Sequence, residues 1–255
     1  MRALLWDIDG TLTRGSGAGT RALAATLHAR PAALEELRRM RLDGMTDRAI
    51  VRVLLAAELG HLASGEPPPL SAVSREPDEA QALARLPIDQ RLEQVRESEI
   101  EQVLAGYLSA LAEECARGAF VPQPGVAALI PRLAGEPMVL LGLCTGNLER
   151  GAELKLRSTQ LWHAFRFGGY GSDAEPRAEI VRCAWTRARA HGATEGLVID
   201  DTPRGIQAAL DAGLPACGVA TGRFSAAELR DAGARFAVDS FADLEASFSL
   251  LLGPL

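Results

Sequence analysis

The pattern of apolar and polar residues changes twice along this chain. Short apolar runs at residues 3–8, 138–144, 166–169, 196–199 and 216–219 are typical of buried strands. Helical spacing of apolar residues separates these runs, and we predict helices at residues 125–134, 148–159, 176–191, 203–212 and 225–232. Strands that alternate with helices predict right-handed crossovers and a parallel sheet.

The segment between the first strand and about residue 120 has no strand pattern. Its spacing predicts helices at 20–29, 31–40, 46–59, 78–86 and 88–117, with a proline-rich loop at 66–77. We therefore expect an α/β fold, with a Rossmann-like parallel sheet and an all-helical domain inserted after the first strand. The predicted core domain spans residues 1–13 and 122–255, and the inserted domain spans residues 14–121.

Composition limits the class of protein. The chain has 255 residues, is 47% hydrophobic and 24% charged, and carries a formal charge of −6, as is ordinary for a globular protein. No basic stripe supports nucleic-acid binding, and no apolar stretch has the length of a membrane span. The four cysteines lack paired spacing and the start lacks a secretory signal pattern, so we expect a cytoplasmic protein. The sequence leaves the oligomeric state open.

Polar residues stand where the predicted strands end. Asp7 and Asp9 stand at the carboxyl end of the first strand, Thr145 follows the second, and Asp200 and Asp201 follow the strand at 196–199. The carboxyl ends of parallel strands lie along one edge of a sheet, where ligands bind. Four carboxylates there repel one another unless a cation lies between them, and oxygen ligands favour Mg²⁺. The sequence therefore predicts a magnesium site, with solvated strand-end aspartates as the alternative.

Lysine is nearly absent from this chain. Lys155 is the only lysine among 27 basic residues, and it lies in the predicted helix that follows Thr145. A long side chain there could reach the same edge of the sheet, where Gly146 lets backbone amides approach an anion. Carboxylates, Mg²⁺, a hydroxyl, amides and an ammonium are together the components of phosphoryl transfer.

Three segments resemble motifs of the haloacid dehalogenase (HAD) superfamily, in the branch near phosphoglycolate phosphatases. Asp7-Ile8-Asp9-Gly10-Thr11 is similar to the first family motif, Thr145-Gly146-Asn147 to the second, and Asp200-Asp201-Thr202-Pro203 to the acidic fourth. The resemblance implies a mobile helical cap on the core domain. It also implies Mg²⁺-dependent hydrolysis of a small phosphorylated metabolite, phosphoglycolate-like or a sugar phosphate, through an aspartyl phosphate.

The resemblance implies roles for the four aspartates. Asp7 would be the nucleophile and a metal ligand. Asp9 would act as general acid and then as general base, with its backbone carbonyl on the metal. Asp201, together with Asp200, would complete the metal site directly or through water.

The same resemblance implies a phosphate-binding set. Thr145 and the segment Gly146-Asn147 would hold the phosphate, and Lys155 would neutralise the phosphoaspartyl region. Thr46 stands in a segment that is similar to a cap loop facing the substrate in related proteins. A helix N-cap is the alternative role for Thr46.

The chain departs from the family pattern at two motifs. The third-motif lysine is missing from the segment before the fourth motif, so either Lys155 or Arg177 fills that role. We favour Lys155 because it is unique in the chain, and we assign Arg177 to substrate binding. In the fourth motif, Gly205 stands where many relatives have a second aspartate, which leaves the metal ligand set open.

Other functions fit the residues less well. A receiver-like signalling domain would have its acidic pair first and its phosphoacceptor in a later strand, without a large helical insertion. A dehalogenase of the same superfamily has no use for the acid at Asp9 and requires no metal. A phosphomutase shares the aspartate pair and the cap, and the sequence does not separate it from a phosphatase.

Overall fold

A computed structural model of the chain describes residues 1–61, 82–83 and 85–254. The predicted loop at 66–77 and most of the predicted helix at 78–86 lie outside the described residues. The chain divides into two compact units. The first comprises Met1–Ser16, Asp43–Thr46 and Cys115–Leu255, and the second comprises Gly17–Leu42 and Asp47–Glu114. The chain changes units after Ser16 and again after Glu114, and Asp43–Thr46 belongs to the first unit, so the boundaries at 13/14 and 121/122 stay a prediction.

The first unit contains all of the described strands. They are β1 (Arg2–Trp6), β2 (Thr13–Arg14), β3 (Val121–Pro122), β4 (Val139–Cys144), β5 (Phe167–Gly169), β6 (Glu195–Asp200), β7 (Ala216–Val219) and β8 (Phe236–Val238). Six of them form one parallel sheet in the order β5-β4-β1-β6-β7-β8. The other two, β2 and β3, form a short antiparallel pair. The expected α/β fold with a Rossmann-like parallel sheet is therefore confirmed.

Helices flank the sheet and make up the second unit. They are α1 (Ala18–Thr26), α2 (Pro31–Arg39), α3 (Asp47–His61), α4 (Ile88–Gln94), α5 (Glu97–Ala116), α6 (Val126–Ala134), α7 (Glu149–Ser158), α8 (Arg177–Ala190), α9 (Pro203–Asp211), α10 (Ala226–Asp231) and α11 (Leu244–Leu252). The first five belong to the second unit, whose described residues contain no strand. None of the described helices is long and apolar enough to cross a membrane.

The central strand β1 is buried on both faces, as its continuous apolar run predicts. Leu4 and Trp6 belong to one cluster of buried apolar residues, and Ala3 and Leu5 belong to a second cluster on the other face. Successive side chains of a strand point to opposite faces, so one strand contributes to both layers of the core. Because both faces of β1 are buried, the strand is fixed in the sheet, and so is the position of the residue that follows it.

The register of the sheet sets the neighbours of the residues that follow β1. Trp6 is paired with Leu143 of β4 on one side and with Ile199 of β6 on the other. The residue after Trp6 and the residue after Ile199 are both aspartates, so Asp7 lies beside Asp200 in the register of the sheet. The carboxyl ends of the three central strands meet at one edge of the sheet, as the sequence predicts.

One predicted helix is wrong in its extent. The helix expected over 88–117 is divided into α4 and α5, because Val95 has an extended backbone with ψ of 123°. Val95 is buried, and the backbone N–H of the next residue, Arg96, donates to Glu99 Oε2 at 3.1 Å. This side-chain acceptor caps the start of α5 and allows the helix to begin again.

Other predicted elements agree with the described ones to within about three residues at each end. Four of the described strands and α-helices were not predicted, namely the short strands β2 and β3 and, near the C-terminus, β8 and α11. Strand β8 has 3 residues, which is too short for a hydrophobic period to be recognised.

Candidate active site

Asp7 and Asp9, which come directly after β1, differ in their exposure to solvent. Asp7 directly follows the strand, and its backbone N–H donates to the Ile199 carbonyl of β6 at 2.9 Å. Asp7 is buried, whereas the Asp9 side chain is 47% exposed. The chain then turns at Gly10, whose φ of +89° is in the left-handed region, and the Gly10 N–H donates to the Thr13 carbonyl at 2.8 Å. The turn fixes Asp7 inward and leaves Asp9 at the rim.

Three carboxylates meet at the edge of the sheet. Ligand oxygens of Asp7, Asp200 and Asp201 all lie within 4.8 Å of one another, and all three residues are buried. The Asp9 carboxylate is not part of this group, and the predicted metal contact of Asp9 through its backbone carbonyl stays a prediction. These three residues could hold a metal ion through oxygen ligands.

Asp200 forms an ion pair with Arg177. Arg177 Nη2, at the start of α8, is 2.8 Å from Asp200 Oδ2 and 3.5 Å from Asp7 Oδ1. The other oxygen of Asp200 accepts the backbone N–H and the hydroxyl of Thr202, at 2.9 and 2.8 Å. A Cβ at Gly205 would overlap the Asp200 carboxylate. The glycine in the fourth motif therefore provides the space that this carboxylate occupies.

Lys155 neutralises a different carboxylate. Its Nζ is 2.6 Å from Asp9 Oδ2 and 2.5 Å from Asn147 Oδ1, and the lysine side chain is 3% exposed. Asn147 Nδ2 donates to Asp9 Oδ2 and to Thr145 Oγ1, both at 2.8 Å. Asn147 therefore joins Lys155, Asp9 and Thr145 in one hydrogen-bond network. The Thr145 hydroxyl also lowers the pKa of the neighbouring Asp7.

Asp201 lies in a slot between two glycines. A Cβ at Gly10 or at Gly222 would overlap the Asp201 carboxylate, so both walls of the slot need residues without a side chain. The Thr11 hydroxyl donates to Asp201 Oδ1 at 3.1 Å. Arg177 and Lys155 are held by other carboxylates, and no described basic side chain forms an ion pair with Asp201.

Burial and mutual repulsion change the acidity of the carboxyl groups. The pKa of Asp7 rises to about 7, chiefly because of its burial and then because of Asp200, although Arg177 lowers it. Burial, with the charges of Asp200 and Asp7, also raises the pKa of Asp201 well above its ordinary value. Burial lowers the pKa of Arg177, but Asp7 and Asp200 more than offset this and keep the guanidinium charged. Asp7 and Asp201 are thus the two carboxylates that a bound cation would stabilise most.

The predicted phosphate-binding segment lies beside the same network. A Cβ at Gly146 would lie 3.0 Å from Thr46 Cα and 3.2 Å from Arg177 Nη1. The turn after Gly146 is supported by Gly171, whose N–H donates to the Asn147 carbonyl at 2.7 Å. Thr46 is buried, so its backbone packs against Gly146 while its side chain is withdrawn from solvent. The structure therefore brings Thr46, Gly146 and Arg177 together.

The sequence did not assign a role to several residues at this site. Thr11 and Thr202 fall inside recognised motifs, but their hydrogen bonds to Asp201 and Asp200 follow only from the fold. Phe120 lies beneath Lys155, with its ring centroid 5.5 Å from Nζ. Gln123 stands between two prolines, which indicates a turn and gives no signal for a site.

Comparisons with known proteins agree with this geometry. A family model of haloacid dehalogenase-like hydrolases matches residues 1–213. A search of curated proteins found no match. Among solved structures, the chain is similar to a hydrolase from Pseudomonas syringae, with a TM-score of 0.65 and 19% identity over 99% of this chain and 100% of that one.

Two further structures share the fold. A predicted phosphatase from Clostridium acetobutylicum has a TM-score of 0.63 and 17% identity over 96% of both chains. CbbY from Rhodobacter sphaeroides, solved with xylulose-(1,5)bisphosphate, has a TM-score of 0.59 and 22% identity over 95% of both chains. With the family match covering most of its length, this chain belongs to the haloacid dehalogenase-like hydrolases.

Proposed function

We propose that this protein is a Mg²⁺-dependent phosphatase that hydrolyses a small phosphomonoester through an aspartyl phosphate on Asp7. The observation that carries the proposal is the charge balance of the site. Four carboxylates (Asp7, Asp9, Asp200 and Asp201) face two cations, Arg177 and Lys155, and each cation has its nearest carboxylate partner within 2.8 Å. The excess of two negative charges matches one divalent cation.

The donor set also fits Mg²⁺. Asp7 and Asp201 offer carboxylate oxygens, which hard divalent cations prefer, and Asp200 lies within the same group. We assign Asp7 and Asp201 as the principal protein ligands, because Arg177 and Thr202 already engage both oxygens of Asp200. Mg²⁺ bound there would neutralise the carboxylates and withdraw charge from the phosphoryl oxygens.

The residues of the chain supply the rest of the reaction. A carboxylate oxygen of Asp7 attacks phosphorus and the bond to the leaving oxygen breaks, and Asp9, which is protonated at this step, gives that oxygen its proton. Asp9 then takes a proton from the attacking water, the acyl phosphate bond breaks, and inorganic phosphate leaves with Asp7 regenerated. The Thr145 hydroxyl favours the ionised form of Asp7 by lowering its pKa, and Lys155 keeps Asp9 in place.

The substrate is proposed to be phosphoglycolate-like or a sugar phosphate. Support comes from the family match and from CbbY, which has been solved with phosphate and with a sugar bisphosphate. The helical unit is proposed to act as a cap that determines the choice of substrate. Along the chain, its described residues lie between β2 and β3, which both belong to the first unit.

A panel of phosphorylated metabolites tests the proposal, with phosphate release measured in Mg²⁺ and in EDTA. We expect release of inorganic phosphate in Mg²⁺ only, and no turnover by Asp7→Asn. The exposed Asp239→Asn serves as the matched control and should retain turnover. Turnover in EDTA, or by Asp7→Asn, would contradict the mechanism. An isomerised sugar phosphate without phosphate release would indicate a phosphomutase, and a long-lived phosphoaspartate would indicate a receiver-like phosphoacceptor.

A further inference from the structure

Gln123 connects two loops that are distant in the sequence. It lies between β3 and α6, just after the chain has returned from the helical unit, and it is buried. Its Nε2 donates to the Gly10 carbonyl at 2.9 Å and to the Thr221 carbonyl at 3.2 Å. Its backbone N–H donates to the Leu12 carbonyl at 2.9 Å. One side-chain amide thus links the turn after β1 to the turn after β7.

Both linked loops belong to the Asp201 slot. Gly10 is one wall of that slot, and Thr221 directly precedes Gly222, which is the other wall. The Thr221 hydroxyl also donates to the Gly10 carbonyl, at 2.6 Å. The Gly10 peptide is therefore held by Gln123 and Thr221 on the side of its carbonyl, while its α-carbon faces the Asp201 carboxylate. The distance between the walls depends on these hydrogen bonds.

We propose that Gln123 is a positioning residue for Asp201, and that it sets the width of the slot which presents this carboxylate to the metal. The proposal rests on the proposed function, because it concerns the Mg²⁺ ligand assigned there. Gln123 itself touches neither substrate nor metal. Its amide has two N–H groups, which suit two carbonyl acceptors, and an apolar side chain of the same length offers none.

A residue that only held the fold together would behave differently. Removing it would lower stability but would leave the affinity of the folded protein for Mg²⁺ unchanged. A residue that positions a ligand changes the affinity itself, and loss of such an outer hydrogen bond typically weakens metal binding by about 10- to 100-fold. The measurement must therefore separate metal affinity from stability.

The test compares Gln123→Met with Gln207→Met, the same substitution at an exposed glutamine of α9. Mg²⁺ binding to each folded protein is measured by titration calorimetry, and unfolding is measured separately in EDTA. We expect Gln123→Met to bind Mg²⁺ at least about tenfold more weakly. The Mg²⁺ concentration for half-maximal phosphatase rate should rise by a similar factor, and kcat at saturating Mg²⁺ should fall much less. Gln207→Met should match the wild type.

Thr221→Val provides a second variant that loosens the same slot from its other side. It should also weaken Mg²⁺ binding, by at least about threefold, because it removes one of the two donors to Gly10. Equal Mg²⁺ affinity in the wild type and in every folded variant would overturn the role of Gln123. Failure of the wild type and Gln207→Met to bind Mg²⁺ would instead overturn the proposed metal site, and the two failures are thus distinguishable.

Discussion

Replacing Asp7 by Asn should abolish turnover and yet make the metal-free protein more stable at pH 8. The carboxyl group is buried beside Asp200, and its pKa rises from 3.8 to about 7. The folded protein therefore holds a proton on Asp7 at pH values where the unfolded chain has lost it. Stability falls as pH increases wherever the folded state binds more protons, so the contribution of Asp7 is lost between about pH 3.8 and pH 7 and the loss is complete above pH 7.

The size of this effect follows from the pKa of Asp7 in the two states. With 3.8 in the unfolded chain and about 7 in the folded protein, linkage gives a destabilisation of about 2 kcal/mol at pH 5 and about 4 kcal/mol at pH 8. An asparagine never ionises, but its NH₂ group replaces one acceptor oxygen, and the mismatched hydrogen bond costs about 1 kcal/mol. The variant should therefore gain about 1 kcal/mol at pH 5 and about 3 kcal/mol at pH 8.

Urea unfolding in EDTA at both pH values measures these differences, with Asp239→Asn as the control for a change of an exposed aspartate. The informative quantity is the change in the Asp7→Asn effect between pH 5 and pH 8, because the cost of the amide cancels. A gain of about 2–3 kcal/mol between the two pH values is expected. An effect that is equal at both pH values, or that falls toward pH 8, would refute the assignment of a raised pKa to Asp7.

Three further variants probe the cations and their support. Lys155→Met should lower kcat/KM by about 100-fold, as loss of a charged group that orients the reacting centre typically does, and calorimetry should show Mg²⁺ affinity within about twofold of wild type. Arg177→Met leaves Asp200 buried without its cation, so urea unfolding in EDTA at pH 8 should show a loss of about 3–5 kcal/mol. Mg²⁺ should restore part of that stability. Phe120→Leu removes an aromatic ring from beneath Lys155, and kcat/KM should fall about fivefold, while Phe120→Tyr should stay near wild type.

The positions of two carboxylates of the candidate site could be predicted from the sequence because they depend on strand ends. A buried parallel strand is a continuous apolar run, and Asp7 and Asp200 are the first charged residues at the ends of two such runs. When the two strands pair in register, these two residues lie side by side at the same edge of the sheet. The order of the elements and the ends of the strands were thus enough to place them at one edge.

The pairing of charges could not be predicted in the same way. Arg177 is 170 residues from Asp7, and Lys155 is 146 residues from Asp9, and nothing in the spacing says which cation meets which carboxylate. The glycines at positions 10, 205 and 222 are needed because of carboxylates that approach from other segments. Such requirements depend on packing, and the sequence pattern alone does not contain them. The cytoplasmic location and the metabolite substrate stay predictions.

Lys155 and Arg177, the two candidates for the third-motif role, contact different carboxylates in the structure. Lys155 is hydrogen-bonded to Asp9 and Asn147, on the side of the site where the leaving group would be protonated. Arg177 is bonded to Asp200 and approaches Asp7, on the side of the buried carboxylates. A planar guanidinium can contact two carboxylates at once, whereas a compact ammonium suits a point among several acceptors. The single lysine of the chain thus lies beside Asp9 and Arg177 pairs with Asp200, which under the proposed function leaves Asp7 and Asp201 to bind the divalent cation.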